Sequence, residues 1–349
     1  MWADDYLSVL RSRQDGGDGS GTVGSGRRGT APPVLLAPLS GITDLHFRRA
    51  VRKLGASAVV SEMVAAAEFA KGDEESRLRA EGGGIDPHVV QLAGCSPAPM
   101  AQAARLAEDA GAHVVDINMG CPAKTVTGGE AGSALMRDIE GATRILAAVR
   151  EAVSVPVTVK MRLGWDHDNL NAPELARRAE SLGLDAVTVH GRTRQQFYKG
   201  VADWRAIRSV VESVRIPVIA NGDVVDAGTA RTCLEQSGAA GVMIGRAALG
   251  RPWLVGAVAA ELAGHPVQTL DEAARARIAL DHYDGLLALY GYRMGIRHAR
   301  KHLAAYADAA GGLDTPARTA MLTSTDPAQV RVLLRKAFAG RHLSLGEAA

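Results

Sequence analysis

The sequence predicts an α/β fold, a closed (β/α)8 barrel with a C-terminal all-helical domain, and three observations carry that expectation. Eight short apolar runs, many of them β-branched, fall at residues 34–38, 58–63, 88–92, 114–118, 157–162, 186–190, 218–221 and 242–245. Amphipathic stretches of helical length separate them, with apolar residues at i, i+3 and i+4. The runs also end in polar residues in nearly every unit, and the C-terminal strand ends are where such a barrel places its active site. An open doubly wound sheet would show the same alternation; the polar strand ends favour the closed TIM barrel.

Taken in order, residues 1–32 read as a flexible tail, Gly/Ser-rich over 14–29 and too poor in apolar surface to offset the entropy of ordering. Gly19-x-Gly21-x-x-Gly24 matches the dinucleotide-binding fingerprint by letter. It lacks the strand before and the helix after, where Arg27, Arg28, Pro32 and Pro33 stand instead, so the match is discounted. Residues 33–265 form the barrel, with helices expected over 98–110, 134–152, 173–182 and 226–237. Residues 266–349 form the helical domain, with helices over 271–309 and 326–340. Asp271-Glu272 suits a helix start and Gly311-Gly312 a stop.

Basic residues crowd this last part: Arg293, Arg297, Arg300 and Lys301, then Arg331, Arg335, Lys336 and Arg341. They fit either a solvated helix face or a phosphate-contacting surface. His298 and His302 have the i, i+4 spacing of a zinc-protease pair, but Ala299 occupies the general-base position, so no metal is expected.

Composition bounds the rest. A chain of 349 residues that is 47% hydrophobic can bury a large core. A net charge of +2 gives no global sign of a polyanion partner, so such a partner must be argued locally. Three cysteines without C-x-x-C spacing suit a reducing compartment and suggest neither disulfides nor a cysteine metal site. The N-terminus begins acidic without an apolar signal region, and no run approaches the roughly 18 apolar residues of a membrane span. A soluble, cytoplasmic protein is expected.

The chemistry centres on Asp116-Ile117-Asn118-Met119-Gly120-Cys121-Pro122, where a strand runs into a loop carrying a lone thiol. A bare thiol is ordinarily only tolerated; its neighbours give this one a context. The strands close on Pro38-Leu39-Ser40, Glu62-Met63, Gln91, Asn118, Lys160-Met161-Arg162, His190-Gly191-Arg192, Asn221-Gly222-Asp223 and Gly245-Arg246. The loops after strands seven and eight commonly bind phosphate in this fold, and here they supply glycine amides and a guanidinium. Lys160 would then sit near the other end of a phosphorylated ligand, where a cation stabilises the charge of a reduced flavin. Gln91 and Pro38-Leu39-Ser40 would reach an isoalloxazine rim. FMN is the expected cofactor.

Six segments together resemble the tRNA-dihydrouridine synthases: Ala37-Pro38-Leu39-Ser40-Gly41-Ile42-Thr43-Asp44, Ile117-Asn118-Met119-Gly120-Cys121-Pro122, Val159-Lys160-Met161-Arg162, Val189-His190-Gly191-Arg192-Thr193, Ala220-Asn221-Gly222-Asp223 and Ile244-Gly245-Arg246. The stretch 245–253 and Arg297-His298-Ala299-Arg300-Lys301-His302 look most like the bacterial DusB-type branch. Leu39 stands where that family usually has methionine, and Ala305 where a tryptophan would precede Tyr306.

The resemblance implies an FMN enzyme, driven by NADPH or NADH, that reduces the C5=C6 bond of D-loop uridines in tRNA. It makes Cys121 the acid that protonates C5. An acid keeps its proton until needed, so a neutral thiol is implied rather than a thiolate. Asn118, Arg192 and Tyr198 are implied at the substrate. The implied FMN contacts are Pro38, Leu39, Ser40, Gln91, Lys160, His190, Asn221, Gly222, Asp223, Gly245 and Arg246. A tRNA uridine must leave its stack to reach a flavin, and the basic helical domain would supply backbone contacts that offset the cost. The glycine-rich stretch from Cys121 to Gly132 reads as a lid. Two rivals share parts of this pattern: an FMN barrel dehydrogenase acting on a free pyrimidine, and a flavin- and RNA-binding regulator without catalysis.

Overall fold

The computed structural model describes residues 31–122 and 130–339. The tail with its Gly19 motif, the centre of the expected lid and Arg341 lie outside the described residues. Eight parallel strands close in sequence order, β1 pairing both β2 and β8. They are β1 (Val34–Leu36), β2 (Ala58–Ala65), β3 (His88–Ala93), β4 (Val114–Met119), β5 (Val157–Arg162), β6 (Ala186–His190), β7 (Val218–Asn221) and β8 (Gly241–Ile244). The strands are buried on both faces, which is why their sequences read as near-continuous apolar runs. β1 is shorter than its apolar run because Pro38 has no N–H to donate; Ala37 N adds a last bond of 2.8 Å to Ile244 O.

The helices between strands are α1 (Leu45–Lys53), α2 (Ala66–Ala70), α3 (Glu74–Ala80), α4 (Pro97–Asp109), α5 (Ile139–Ala152), α6 (Ala172–Ser181), α7 (Trp204–Val211) and α8 (Ala227–Ser237), with α9 (Leu254–Leu262) following β8. Their apolar stripes pack on the outer faces of the strands in one large core that includes Phe47, Met100, Ile145, Leu175 and Ile207. The barrel lumen has its own apolar floor, with Leu35, Val60, Val89, Val114, Ile219 and Met243. The expected helix from residue 134 is divided. A 3-10 turn over Gly132–Arg137 precedes Asp138, whose carboxylate accepts Gly141 N at 2.8 Å and starts α5 afresh.

After the barrel come α10 (Glu272–Ala310), α11 (Thr315–Thr323) and α12 (Pro327–Ala339). α10 breaks at Gly291, where φ is 70° and ψ 166°, a conformation that suits glycine and not the expected uninterrupted helix. α11 is an element beyond the two expected; Asp314 caps it and a proline stands in its first turn, both ordinary start signals. The three helices share a separate core of Tyr283, Leu286, Leu303, Tyr306, Leu334 and Phe338.

A buried polar triad fastens this helical unit to the barrel. Asp44 caps α1 with one carboxylate oxygen, accepting His46 N at 3.0 Å and Phe47 N at 3.1 Å. Its other oxygen meets His282 Nε2 at 3.0 Å and His302 Nε2 at 3.4 Å. The Tyr306 hydroxyl lies 3.0 Å from His282 Nδ1 and donates to it when the Nε2 proton faces Asp44. Burial would raise the Asp44 carboxyl, but His282 and His302 hold it far below the usual carboxylate range. His302 therefore does not pair with His298, which stacks on Tyr290 at 4.3 Å instead.

Candidate active site

The C-terminal strand ends surround a cavity of about 640 Å3. Of the residues expected there, Pro38, Leu39, Ser40, Asn118, Cys121, Lys160, His190, Tyr198, Asn221, Gly222, Asp223, Gly245 and Arg246 all line it. Gln91 and Arg192 are not on its wall. Gln91 is fully buried, bridging Asp116 and Asn118 with bonds of 2.6 and 2.7 Å, so its amide faces its neighbours in the barrel interior. Arg192 is 1% exposed and holds the loop after β6, donating to Lys199 O at 3.2 Å and Gly200 O at 2.7 Å. A second cavity, of about 660 Å3, lies beside α9 near the N-terminal strand ends, where this fold does not place its chemistry.

Register explains how the polar groups converge. Side chains two apart on a strand share a face. Asn118, Lys160 and Thr188 are register partners across β4, β5 and β6, and Arg162, His190 and Asn221 are partners one step nearer the mouth. Lys160 is thus enclosed, and burial together with Arg162 lowers its ammonium pKa to about 8, against the opposing pull of Asp116 and Cys121. His190 is pushed well below its ordinary value by burial and by Lys160, Arg162, Arg192 and Arg246, which fixes it as a neutral ring. Asp223 is held low: burial favours its acid form, but Arg192 at 2.5 Å and Arg246 at 3.2 Å outweigh it. The mouth between β6 and β8 is consequently electropositive.

Cys121 is held by its backbone from both sides. Its N–H donates to Asn118 Oδ1 at 2.9 Å, and its carbonyl accepts from Ser133 N and Ser133 Oγ, each at 2.9 Å. Gly132 must be glycine, since φ is +61° and a Cβ there would lie 2.6 Å from Cys121 O. One step earlier, Gly120 O accepts from Arg162 Nε at 2.7 Å. Arg162 also donates to Thr193 O at 2.9 Å and Phe197 O at 2.8 Å, tying the β4 loop to the β6 loop.

The latter loop carries Tyr198, half-exposed at the rim with the Arg246 guanidinium 5.0 Å from its ring centroid. On β2, Glu62 accepts the Gly41 N–H and so holds the turn that carries Leu39 and Ser40. Burial raises the Glu62 carboxyl pKa, opposed by the Gly41 bond. Sequence reading left Arg162, Glu62 and Ser133 without roles. The i, i+2 spacing of Lys160 and Arg162 on one strand was the available signal for the first, whereas Ser133 becomes a partner only through the return of the chain.

The exposed basic residues Arg293, Arg297, Arg300 and Lys301 sit on α10 beyond its break at Gly291. A Cβ at Gly41 would meet Lys301 Nζ, so this basic face adjoins the β1 loop at the mouth. Arg331 is paired with Asp284 at 2.8 Å. No helix among the described residues is long and apolar enough to cross a membrane.

Comparison with known proteins agrees with this geometry. The dihydrouridine synthase family model matches residues 35–338. A probable tRNA-dihydrouridine synthase of Rhodobacter capsulatus is 52% identical over 313 residues, 89% of this chain and 96% of that protein. One of Rhizobium leguminosarum is 49% identical, covering 90% of this chain and 98% of its own length. A tRNA-dihydrouridine synthase B of Xanthomonas axonopodis is 48% identical over 79% of this chain and 84% of its own. With the match running from β1 to α12 and the convergent strand ends inside it, the chain belongs to the dihydrouridine synthase family.

Proposed function

We propose that this protein is a tRNA-dihydrouridine synthase that uses FMN, with NADPH or NADH as reductant, to saturate the C5=C6 bond of D-loop uridines. The observation that carries the reading is Cys121, fixed on the wall of a cavity whose other walls bear Lys160 and the Arg246–Asp223 pair. The residues present fit FMN. The cavity has the size of a cofactor site, with a guanidinium and glycine amides at one side and a buried ammonium at another. Gly245 leaves its approach open, since a Cβ there would meet nothing nearer than 3.7 Å.

Arg246, Gly245, Gly222 and Asn221 would hold the phosphate, and Pro38, Leu39 and Ser40 one edge of the ring system. Bound and reduced, FMN supplies a hydride for C6 of the uracil ring. Lys160 would set a positive charge against the negative charge of the reduced ring. Cys121 donates its Sγ proton to C5, and Asn118 offers an amide proton to a ring carbonyl. Tyr198 at the rim, with the Arg162 and Arg246 guanidinium groups over its ring, would meet the unstacked base.

Two further outcomes follow. Lys160 loses its charge above about pH 8, so FMN uptake by apoprotein is expected to weaken as pH rises through that value. Lys160→Met should bind weakly at every pH; fluorescence titration from pH 6.5 to 9.5 reads both. Replacing Arg297 and Arg300 by Ala should weaken tRNA binding and lower the salt slope by roughly one for each phosphate contact removed, with flavin content unchanged.

The deciding experiment incubates the flavin-loaded protein and NADPH with unmodified tRNA, and in parallel with free uracil and orotate, and maps dihydrouridine in the tRNA. D-loop dihydrouridine without turnover of the free bases is the expected result. Turnover of the free bases alone would make this a pyrimidine dehydrogenase, and flavin and tRNA binding without product would make it a binding protein.

A further inference from the structure

Beneath the cavity runs a hydrogen-bond chain whose buried origin has no part in the chemistry above. Asp116, 4% exposed on β4, accepts Thr158 Oγ1 at 2.6 Å on one carboxylate oxygen and Gln91 Nε2 at 2.6 Å on the other. Gln91 Oε1 accepts from Asn118 Nδ2 at 2.7 Å. Asn118 Oδ1 accepts Gly120 N at 3.1 Å and Cys121 N at 2.9 Å. The direction of this chain is fixed at its ends, since backbone N–H groups only donate and a carboxylate only accepts. One orientation of each intervening amide satisfies both ends.

We propose that Asp116 is a positioning residue: by setting the direction of the Gln91 amide, and through it the Asn118 amide, it locks the backbone under Cys121 and turns an Asn118 proton toward the substrate. The proposal rests on the functional reading for what the thiol does, but not for how it is held. Without an acceptor at 116, the Gln91 amide can turn over. Its NH2 would then face the NH2 of Asn118, and Asn118 could satisfy Gln91 only by turning its oxygen away from Gly120 N and Cys121 N. Both amides are buried, so no solvent replaces the lost bonds.

Polarity, as distinct from packing, is tested at the acceptor. Asp116→Leu fills a similar volume but offers nothing to the Gln91 amide, and is expected to loosen the loop. Asp116→Asn keeps an oxygen that accepts from Gln91 while its NH2 turns to the Thr158 hydroxyl, and is expected to preserve the chain. The readouts are iodoacetamide labelling of Cys121 in the flavin-loaded protein, by peptide mass spectrometry against the exposed Cys95 as internal reference, and kcat and KM on tRNA.

Asp116→Leu should raise Cys121 labelling and lower kcat, each about tenfold, as for loss of a hydrogen bond to a charged group. The tRNA KM should hold. Asp116→Asn should keep both readouts within about threefold of the wild type. Unchanged labelling in Asp116→Leu, or an Asp116→Asn as impaired as Asp116→Leu, would overturn the relay. If the wild type makes no dihydrouridine, the functional reading fails, and the labelling series still decides the relay.

Discussion

Cys121→Ala is expected to leave a folded, yellow, FMN-loaded protein that NADPH reduces at the normal rate and that forms dihydrouridine at least about a hundredfold more slowly, the usual contribution of a positioned acid. The selectivity of the loss follows from how the site is built. The backbone of residue 121 is held by Asn118 and Ser133 through atoms that alanine retains, so the loop stays in place and only the proton donor disappears. Flavin reduction uses no proton from this side chain, and the cavity walls that would hold FMN are contributed by β1, β5, β7 and β8 and their loops. Stopped-flow measurement of the two half-reactions separates the cases. Full oxidative activity in the variant would remove Cys121 from the mechanism.

The second large effect concerns stability. Asp44→Ala removes a helix cap, worth about 1 kcal/mol, and strips two buried histidines of their common acceptor, at about 1–3 kcal/mol for each buried donor left unpaired. Asp44→Asn keeps a capping oxygen and should lose less. Acid should act through the same groups. Burial, together with His282, lowers the His302 pKa to about 3. The unfolded chain takes up that proton near pH 6.5 and the folded protein does not, so stability is complete above 6.5 and declines as pH falls from there toward 3. Asp44, held low, adds a further loss below about pH 4 in the same direction. Denaturant midpoints at pH 7.5 and 5.5 should differ in the wild type and by at least as much in Asp44→Ala, where the attraction that raises the His302 pKa is gone.

What could be read from the chain in advance divides by the range of the physics. Buried parallel strands announce themselves as short β-branched runs, and strand-end polarity announces a mouth; from Val157–Arg162 alone the strand, its buried faces and Lys160 were legible. Bonds that close across the lumen were not. Nothing near Gln91 in sequence reveals that both ends of its amide are engaged by Asp116 and Asn118, 25 and 27 residues away. Arg192 reads as a substrate contact by position, yet its fork fits two backbone carbonyls and Asp223. In sequence His302 pairs at i, i+4 with His298, although its partner lies more than 250 residues earlier at the cap of α1. Local patterns set elements, and only closure of the barrel decides which polar groups face one another.

That triad bears on when the enzyme becomes competent. Asp44 follows Ser40 by four residues, so the segment that lines the cavity and the segment that receives α10 are one. His282 and His302 are synthesised long after the eighth strand. A nascent chain halted beyond β8 would carry every strand and the Glu62 bond to Gly41, but neither histidine that meets Asp44. The segment that lines the mouth therefore gains its buried partners only once the C-terminal helices have been made.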